Sequence, residues 1–208
     1  VINTAGSIHG LASILVEQGG VPAHLETEYK NWLVRLSGTL VDEVRSQRKL
    51  LAAENGEFLP EVTSVDIRSI LSEIYQLYHQ YDKTPGRNLV ILDGENYTVR
   101  SDASVILRII GNMTINALEA TPIGGVVTIS ARAEGPVVVI EVHNDLVMAE
   151  DTKLQIFKRS FSTKSTAGRG IGTYSMKLFG ERYLKGRVTF RSNLEEGTVF
   201  SFSLPIDQ

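Results

Sequence analysis

Apolar side chains recur every three or four positions through the first quarter of the chain. Between Ile2 and Glu17, the residues Ile8, Leu11, Ile14 and Leu15 fall on one helical face. Gly19-Gly20 interrupts that spacing, and Pro22 suits the first turn of a new helix. From Pro22 to Glu54 the set Tyr29, Trp32, Leu33, Leu36, Leu40 and Val44 resumes the rhythm, and Asn55-Gly56 ends it. Two helices joined by a Gly-Gly-Val-Pro turn predict an antiparallel hairpin. A lone hairpin cannot enclose its apolar stripe, so it is expected to pair with a second copy or to pack on the rest of the chain.

Beyond Gly56 the pattern becomes mixed. Asp66 to Tyr81 is a further helix, with Ile67, Ile70, Leu71, Ile74 and Leu77 inside. Asn88–Leu92 and Tyr97–Arg100 read as short strands around an Asp93-Gly94 turn. Ser101-Asp102 caps a helix running to Ala120, where Pro122 and Gly124-Gly125 stop it. Val126–Ala131 and Val137–Val142 are β-branched strands around Glu134-Gly135-Pro136. Gly170 to Leu184 reads as one helix, and Arg187–Ser192 with Thr198–Leu204 as a closing hairpin. The predicted class is α+β: a helical hairpin over residues 1–56, then an α/β sandwich with a mostly antiparallel sheet over 57–208.

Composition narrows the function. The 208 residues carry 21 Lys and Arg against 24 Asp and Glu, a net charge of −3, which argues against a dedicated nucleic-acid or membrane-surface binder. Cys is 0, which excludes disulfide scaffolds, thiolate zinc sites and Cys nucleophiles. No apolar run approaches the roughly 18 residues of a membrane helix, and no basic-then-apolar secretory leader opens the chain. The first residue is Val1, which suggests a piece of a longer protein.

Three stretches carry candidate chemistry. In Arg108–Thr121, Asn112 and Asn116 lie four apart and share one helix face, while Ile109, Ile110, Met113 and Ala117 face the core. Alone, the pair reads equally as a cap on a neighbouring loop or as metal and phosphate ligands, since a carboxamide oxygen suits Mg2+. Gly168-Arg169-Gly170-Ile171-Gly172-Thr173 stands at a helix entry, where bare backbone can approach a phosphate. It follows no strand of a βαβ unit, so it is not a dinucleotide fingerprint. Upstream, Ile156 to Lys164 sets Phe157 and Phe161 as loop anchors beside Arg159 and Lys164, which could reach an anion.

In this order the three stretches resemble the ATP-binding domain of sensor histidine kinases, within the wider Bergerat-fold ATPases. Residues 112–121 resemble the N box, 157–164 the F box, 168–173 the second glycine box, and Gly197-Thr198-Val199-Phe200 the closing segment. The resemblance spans residues 60–205, and the hairpin stands where these kinases carry their dimerisation and phosphotransfer domain. It implies ATP and Mg2+ as cofactors, with Asn116 as the metal ligand. Around the nucleotide it implies Asn112, Asn144, Asp145, Arg159, Thr163, Lys164, Gly168, Gly170, Ile171, Gly172, Thr173 and Thr198. Residues 146–168 would form a lid. Asn112 stands where hydrolysing relatives carry a Glu, and a carboxamide cannot act as a carboxylate base, which favours phosphoryl transfer over hydrolysis.

Two positions depart from the family pattern. Asn144 occupies the place of the adenine-reading Asp, with Leu146 and Met148 where glycines are usual; Asp145 could substitute only after a local shift. The phosphoacceptor candidate is His9, followed by Gly10 rather than an acidic residue; aligned on Asn3, the acceptor position falls instead on Gly6. His24, His79 and His143 are poorer placed. The resemblance implies a two-component kinase that is phosphorylated on His and passes the phosphoryl group to an Asp of a response-regulator receiver domain. It implies a homodimer through the hairpin, a cytoplasmic location, and no nucleic-acid or direct membrane contact. The alternative is a kinase-derived scaffold that dimerises and binds nucleotide without phosphotransfer.

Overall fold

The three-to-four spacing at the N-terminus builds two helices, α1 (Ile2–Val16) and α2 (Ala23–Asn55), packed along each other. The structure is a computed structural model that describes residues 2–16, 22–79, 84–159 and 171–206. The chain divides into two units, Val1–Phe58 and Leu59–Gln208. In the first, Thr4 Oγ1 donates to the Glu43 carboxylate at 3.2 Å, linking the helices. Ile8, Leu11 and Leu15 of α1 and Leu33, Leu36 and Leu40 of α2 are half-buried. Trp32 and Val44, expected on the same stripe, remain 40% and 41% exposed. A 3.6-residue period lets 32 and 44 drift off the seam that 33, 36 and 40 hold. Gly56 closes α2 at φ 81°, and the Glu57 amide donates to the Ala52 carbonyl at 2.8 Å.

The second unit opens with β1 (Thr63–Asp66), which the sequence pattern did not show, followed by α3 (Ile67–Tyr78). Asp66 caps α3 by accepting from the Ser69 amide at 2.7 Å. Then come β2 (Asn88–Ile91), β3 (Thr98–Ser101) and α4 (Ala103–Ala120), which Asp102 caps through the Val105 amide. The strands expected to flank the Asp93-Gly94 turn do not pair: β3 joins β1 in a two-stranded antiparallel sheet. β2 instead pairs parallel with β4 (Val126–Glu134) at the edge of a five-stranded sheet. That sheet continues through β5 (Val137–Asn144), β7 (Gly197–Pro205) and β6 (Arg187–Asn193), all antiparallel, in the order β2-β4-β5-β7-β6. A one-turn helix, α5 (Glu150–Lys153), lies after β5. The helix expected from Gly170 to Leu184 is α6 (Gly172–Lys177) followed by a π-helical turn, Leu178–Tyr183.

Helices α3, α4 and α6 cover one face of the sheet. Ile106, Ile109, Ile110 and Met113 of α4 are fully buried, as are Val127, Ile129, Val138, Ile140, Val142 and Phe202 of the strands. Alternation along β5 puts Val138, Ile140, Val142 and then Asn144 on this helix-covered side. Glu141 points the other way. Its carboxylate accepts from Arg132, from Arg191 at 2.7 Å and from Ser201 at 3.0 Å. Burial pushes the Glu141 carboxyl up, but the two guanidiniums and the hydroxyl outweigh it and hold the group at about 2.

Candidate functional site

The site is assembled at one end of the helix-covered face. Helix α4 presents Arg108, Asn112 and Asn116 at four-residue spacing, all half-buried, while the opposite flank of the helix enters the core. A Cβ built on Gly172, the first residue of α6, would lie 3.7 Å from Asn112 Oδ1. Two motifs sixty residues apart in the chain are therefore neighbours in space. Ile171 precedes the helix as a half-buried residue, and its carbonyl accepts from the Ser175 amide at 2.8 Å. Thr173 is half-buried in the first turn.

Beside α4, the end of β5 carries Asn144, which is 3% exposed. Among the described residues its Nδ2 has no hydrogen-bond partner. A buried amide donor without an acceptor costs about 1–3 kcal/mol. Asp145, the next residue, faces solvent with its side chain 87% exposed, 3.7 Å from His143 Nε2. The two candidates for contacting a base are thereby separated: Asn144 lies inside and Asp145 outside.

Thr198 faces Asn144 across the β5–β7 ladder and organises the chain that leaves β5. Its Oγ1 donates to the Leu146 carbonyl at 2.6 Å and lies 2.7 Å from Ser192 Oγ, which accepts from the Met148 amide at 2.8 Å. This network fastens the root of the segment expected to be a lid. Farther along, Phe157 packs edge-on against Phe190 at 5.7 Å, as an anchor should. Lys177 Nζ sits 4.9 Å from the Phe157 ring centre, a cation–π contact that the sequence pattern did not show. Arg159 is exposed. Thr163, Lys164, Gly168 and Gly170 lie outside the described residues.

Arg108 is a second residue that the motifs did not single out. Its guanidinium lies 5.0 Å from the centre of the Phe179 ring in the π-helical turn, and burial lowers its pKa. The available signal was its place one turn before Asn112 on the same face of α4. In the hairpin unit, His9 is exposed on α1, with Nδ1 3.4 Å from Ser13 Oγ. Among the described residues, no cluster of three or more His, Cys, Asp or Glu side chains could hold a metal. A Mg2+ ion at this site would rest on few protein ligands, Asn116 first, and on phosphate oxygens.

Residues 101–208 match the family described as histidine kinase-, DNA gyrase B-, and HSP90-like ATPase. The chain belongs to this ATPase family. Its relatives include the sensor-like histidine kinase SenX3 of Mycolicibacterium smegmatis, 25% identical over 206 residues, covering 96% of this chain and 53% of SenX3. The chain thus spans about half the length of this relative. Among solved structures, the nucleotide-free catalytic domain of histidine kinase ThkA matches with TM-score 0.62 and 28% identity, over 70% of this chain and 95% of that one. ThkA in complex with response regulator protein TrrA matches with TM-score 0.64 and 21% identity, over 99% of this chain and 58% of that one. Full-length ShkA in complex with AMPPNP has the same fold, with TM-score 0.73 and 19% identity, over 100% of this chain and 44% of that one. The α+β class and the homology to sensor histidine kinases expected from the motifs are both confirmed.

Proposed function

We propose that this chain is the kinase portion of a two-component sensor histidine kinase. Its second unit would bind MgATP, and its first would carry the phosphoacceptor and form the homodimer. The observation that carries the reading is the meeting of Asn112 with the start of α6. Asn116 would ligate Mg2+, with Asn112 one turn away on the same face. The ion, when bound, offsets charge on the phosphate oxygens. The first-turn amides of Gly172 and Thr173, with Arg159 and Lys164, would hold the phosphates. Asn144 would contact the base. Arg108 would steady the row by packing on Phe179. Asn112 offers no carboxylate to activate water, so the residues favour transfer to a side chain over hydrolysis.

His9 would accept the phosphoryl group. Its ring is exposed, with Ser13 Oγ 3.4 Å from Nδ1. ThkA has been solved with a response regulator, which supports a receiver-domain Asp as the next acceptor. The half-exposed Trp32 and Val44 support a hairpin that pairs with a second copy. Among the described residues, no helix is long and apolar enough to cross a membrane, which suits a cytoplasmic portion. A second reading, a nucleotide-binding scaffold, is favoured by Gly10 after His9 and by Leu146 and Met148 where the family has glycines.

Incubation with γ-labelled ATP decides between them. The kinase reading expects an acid-labile, base-stable phosphate that disappears in Asn116→Ala and in His9→Gln. Label retained in His9→Gln would move the acceptor elsewhere. Nucleotide binding with no label would establish the scaffold.

A further inference from the structure

A groove of about 450 Å3 opens beside the outermost strand of the five-stranded sheet, and none of Asn112, Asn116, Asn144 or Gly172 lines it. Its helical wall is α3, which presents Ile67, Leu71 and Tyr75 at four-residue spacing. Its strand wall is β2, through Leu89 and Ile91. Tyr75 is 40% exposed, and the His79 ring backs it with centres 4.9 Å apart. Arg68 donates to the Gly94 carbonyl and ties the loop after β2 to the start of α3.

The backbone of β2 dictates what shape of ligand fits. The Asn88 amide donates to the Gly125 carbonyl at 3.0 Å, and the Leu92 amide to the Ile129 carbonyl at 2.8 Å. In a parallel pair alternate residues face the neighbouring strand. Asn88, Val90 and Leu92 therefore face β4, while Leu89 and Ile91 turn their amides and carbonyls away from it. Among the described residues no backbone group pairs with that free edge. Edge strands are normally guarded by a charge, a proline or a bulge. The run Leu89-Val90-Ile91-Leu92 has no charge and no proline, and its register with β4 is unbroken. A row of free amides and carbonyls beside an apolar groove suits an extended chain, whose own backbone pairs with the edge while alternate side chains enter the groove.

Charge narrows the occupant. Asp93 and Glu95 line the groove against one guanidinium, that of Arg68, which is engaged with Gly94. Glu95 accepts from the Tyr97 hydroxyl at 3.3 Å. Asp93 has no ion-pair partner among the described residues. A cationic side chain is the complement of this end of the groove.

We propose that the groove between α3 and β2 binds a partner protein by strand addition. The partner's segment is extended, carries apolar side chains at alternate positions, and sets a Lys or Arg beside Asp93.

The test is selection of a displayed library of random dodecapeptides on the full chain, with fluorescence anisotropy of the enriched peptides on wild type, Ile91→Pro and Asp93→Lys. Proline at 91 removes a donor from the free edge and spares the ladder to β4. Enriched peptides should alternate apolar residues and carry a Lys or Arg. Ile91→Pro should weaken them about tenfold or more, since a hydrogen bond is lost and a ring obstructs the edge. Asp93→Lys should weaken them about threefold, the size of an exposed charge contact. Amide hydrogen exchange of the wild-type complex should show new protection at Leu89 and Ile91. Circular dichroism melts establish that each variant is folded; if Ile91→Pro is not, Asp93→Lys and the exchange pattern decide. Peptides that bind the folded variants as tightly as the wild type overturn the proposal, and so does a folded wild type that enriches none. Protection of Leu89 and Ile91 that rises with protein concentration and needs no peptide overturns it in favour of a second copy on the same edge. Each of these failures leaves the nucleotide reading standing.

Discussion

The two units hold together by different means. In the α/β unit, Ile106, Ile109, Ile110, Met113, Ile129, Ile140 and Phe202 are fully enclosed by α4 and the sheet. In the hairpin unit, no residue of α1 is buried, and Ile14, Trp32 and Val44 keep about two-fifths of their surface in solvent. The α/β unit can draw its stability from its own interior. The hairpin carries an apolar surface that one α1–α2 pair leaves uncovered, so its stability should depend on association.

Glycine-to-alanine changes sharpen this contrast most. Gly197 has φ 70°, and a Cβ there would lie 2.4 Å from the Asn144 carbonyl oxygen. Gly197→Ala should destabilise the α/β unit by about 3 kcal/mol, through strain and collision together. Gly6 lies in α1, and a Cβ there would meet nothing within 4 Å, so Gly6→Ala should stabilise the hairpin by about 0.5–1 kcal/mol. Amide hydrogen exchange reads the two units separately. A loss of protection in α1 on Gly6→Ala would show that another surface packs closely on that face.

Large-to-small changes are the next test. Ile110→Ala removes a fully buried side chain and should cost about 3 kcal/mol whatever the protein concentration. Leu36→Ala, at a half-buried hairpin position, should cost about 1 kcal/mol and more as dilution favours the single chain. Urea denaturation at two concentrations checks this, with the chain's one tryptophan, Trp32, reporting the hairpin. A Leu36→Ala cost independent of concentration would break the contrast.

The smallest expected effect is electrostatic and confined to the sheet. Glu141→Gln should cost about 1–2 kcal/mol at pH 7, since both arginines remain half in solvent. The folded carboxyl titrates at about 2 against an ordinary 4.5, so its contribution is fully present above pH 4.5 and is lost as pH falls through about 2. The gap between wild type and variant should close over that range in thermal melts. A constant gap from pH 7 to pH 2 would show that Glu141 contributes through packing instead of charge.

Much of this molecule was legible in the sequence because its signals are local. The α4 period, its Asp102 cap and the Gly56 stop lie within a few residues of what they control. So do the Asn112–Asn116 pair and the Phe157 anchor. Non-local features were not legible. β1 is four residues long with Val65 as its one buried residue, and its partner β3 lies more than thirty positions away. The parallel pairing of β2 with β4 replaced an expected hairpin for the same reason. The Thr198–Ser192–Leu146 network and the orphaned amide of Asn144 are properties of three-dimensional accounting, which no spacing rule records.

The π-helical turn after α6 has one further consequence. A Cβ on Gly180 would sit 2.7 Å from Val188 Cγ2 and 3.1 Å from the Phe202 ring, so bare backbone sets the clearance between this helix and the sheet. The same rod begins at Gly172, roughly 12 Å away by helical rise, where it meets Asn112. Gly180 acts as the fulcrum of a seesaw whose far arm meets Asn112, the end proposed above to face the phosphates. A single methyl group on Gly180 would have to lift the helix off Val188 and Phe202, and on the proposed reading that displacement would reach the nucleotide without touching it.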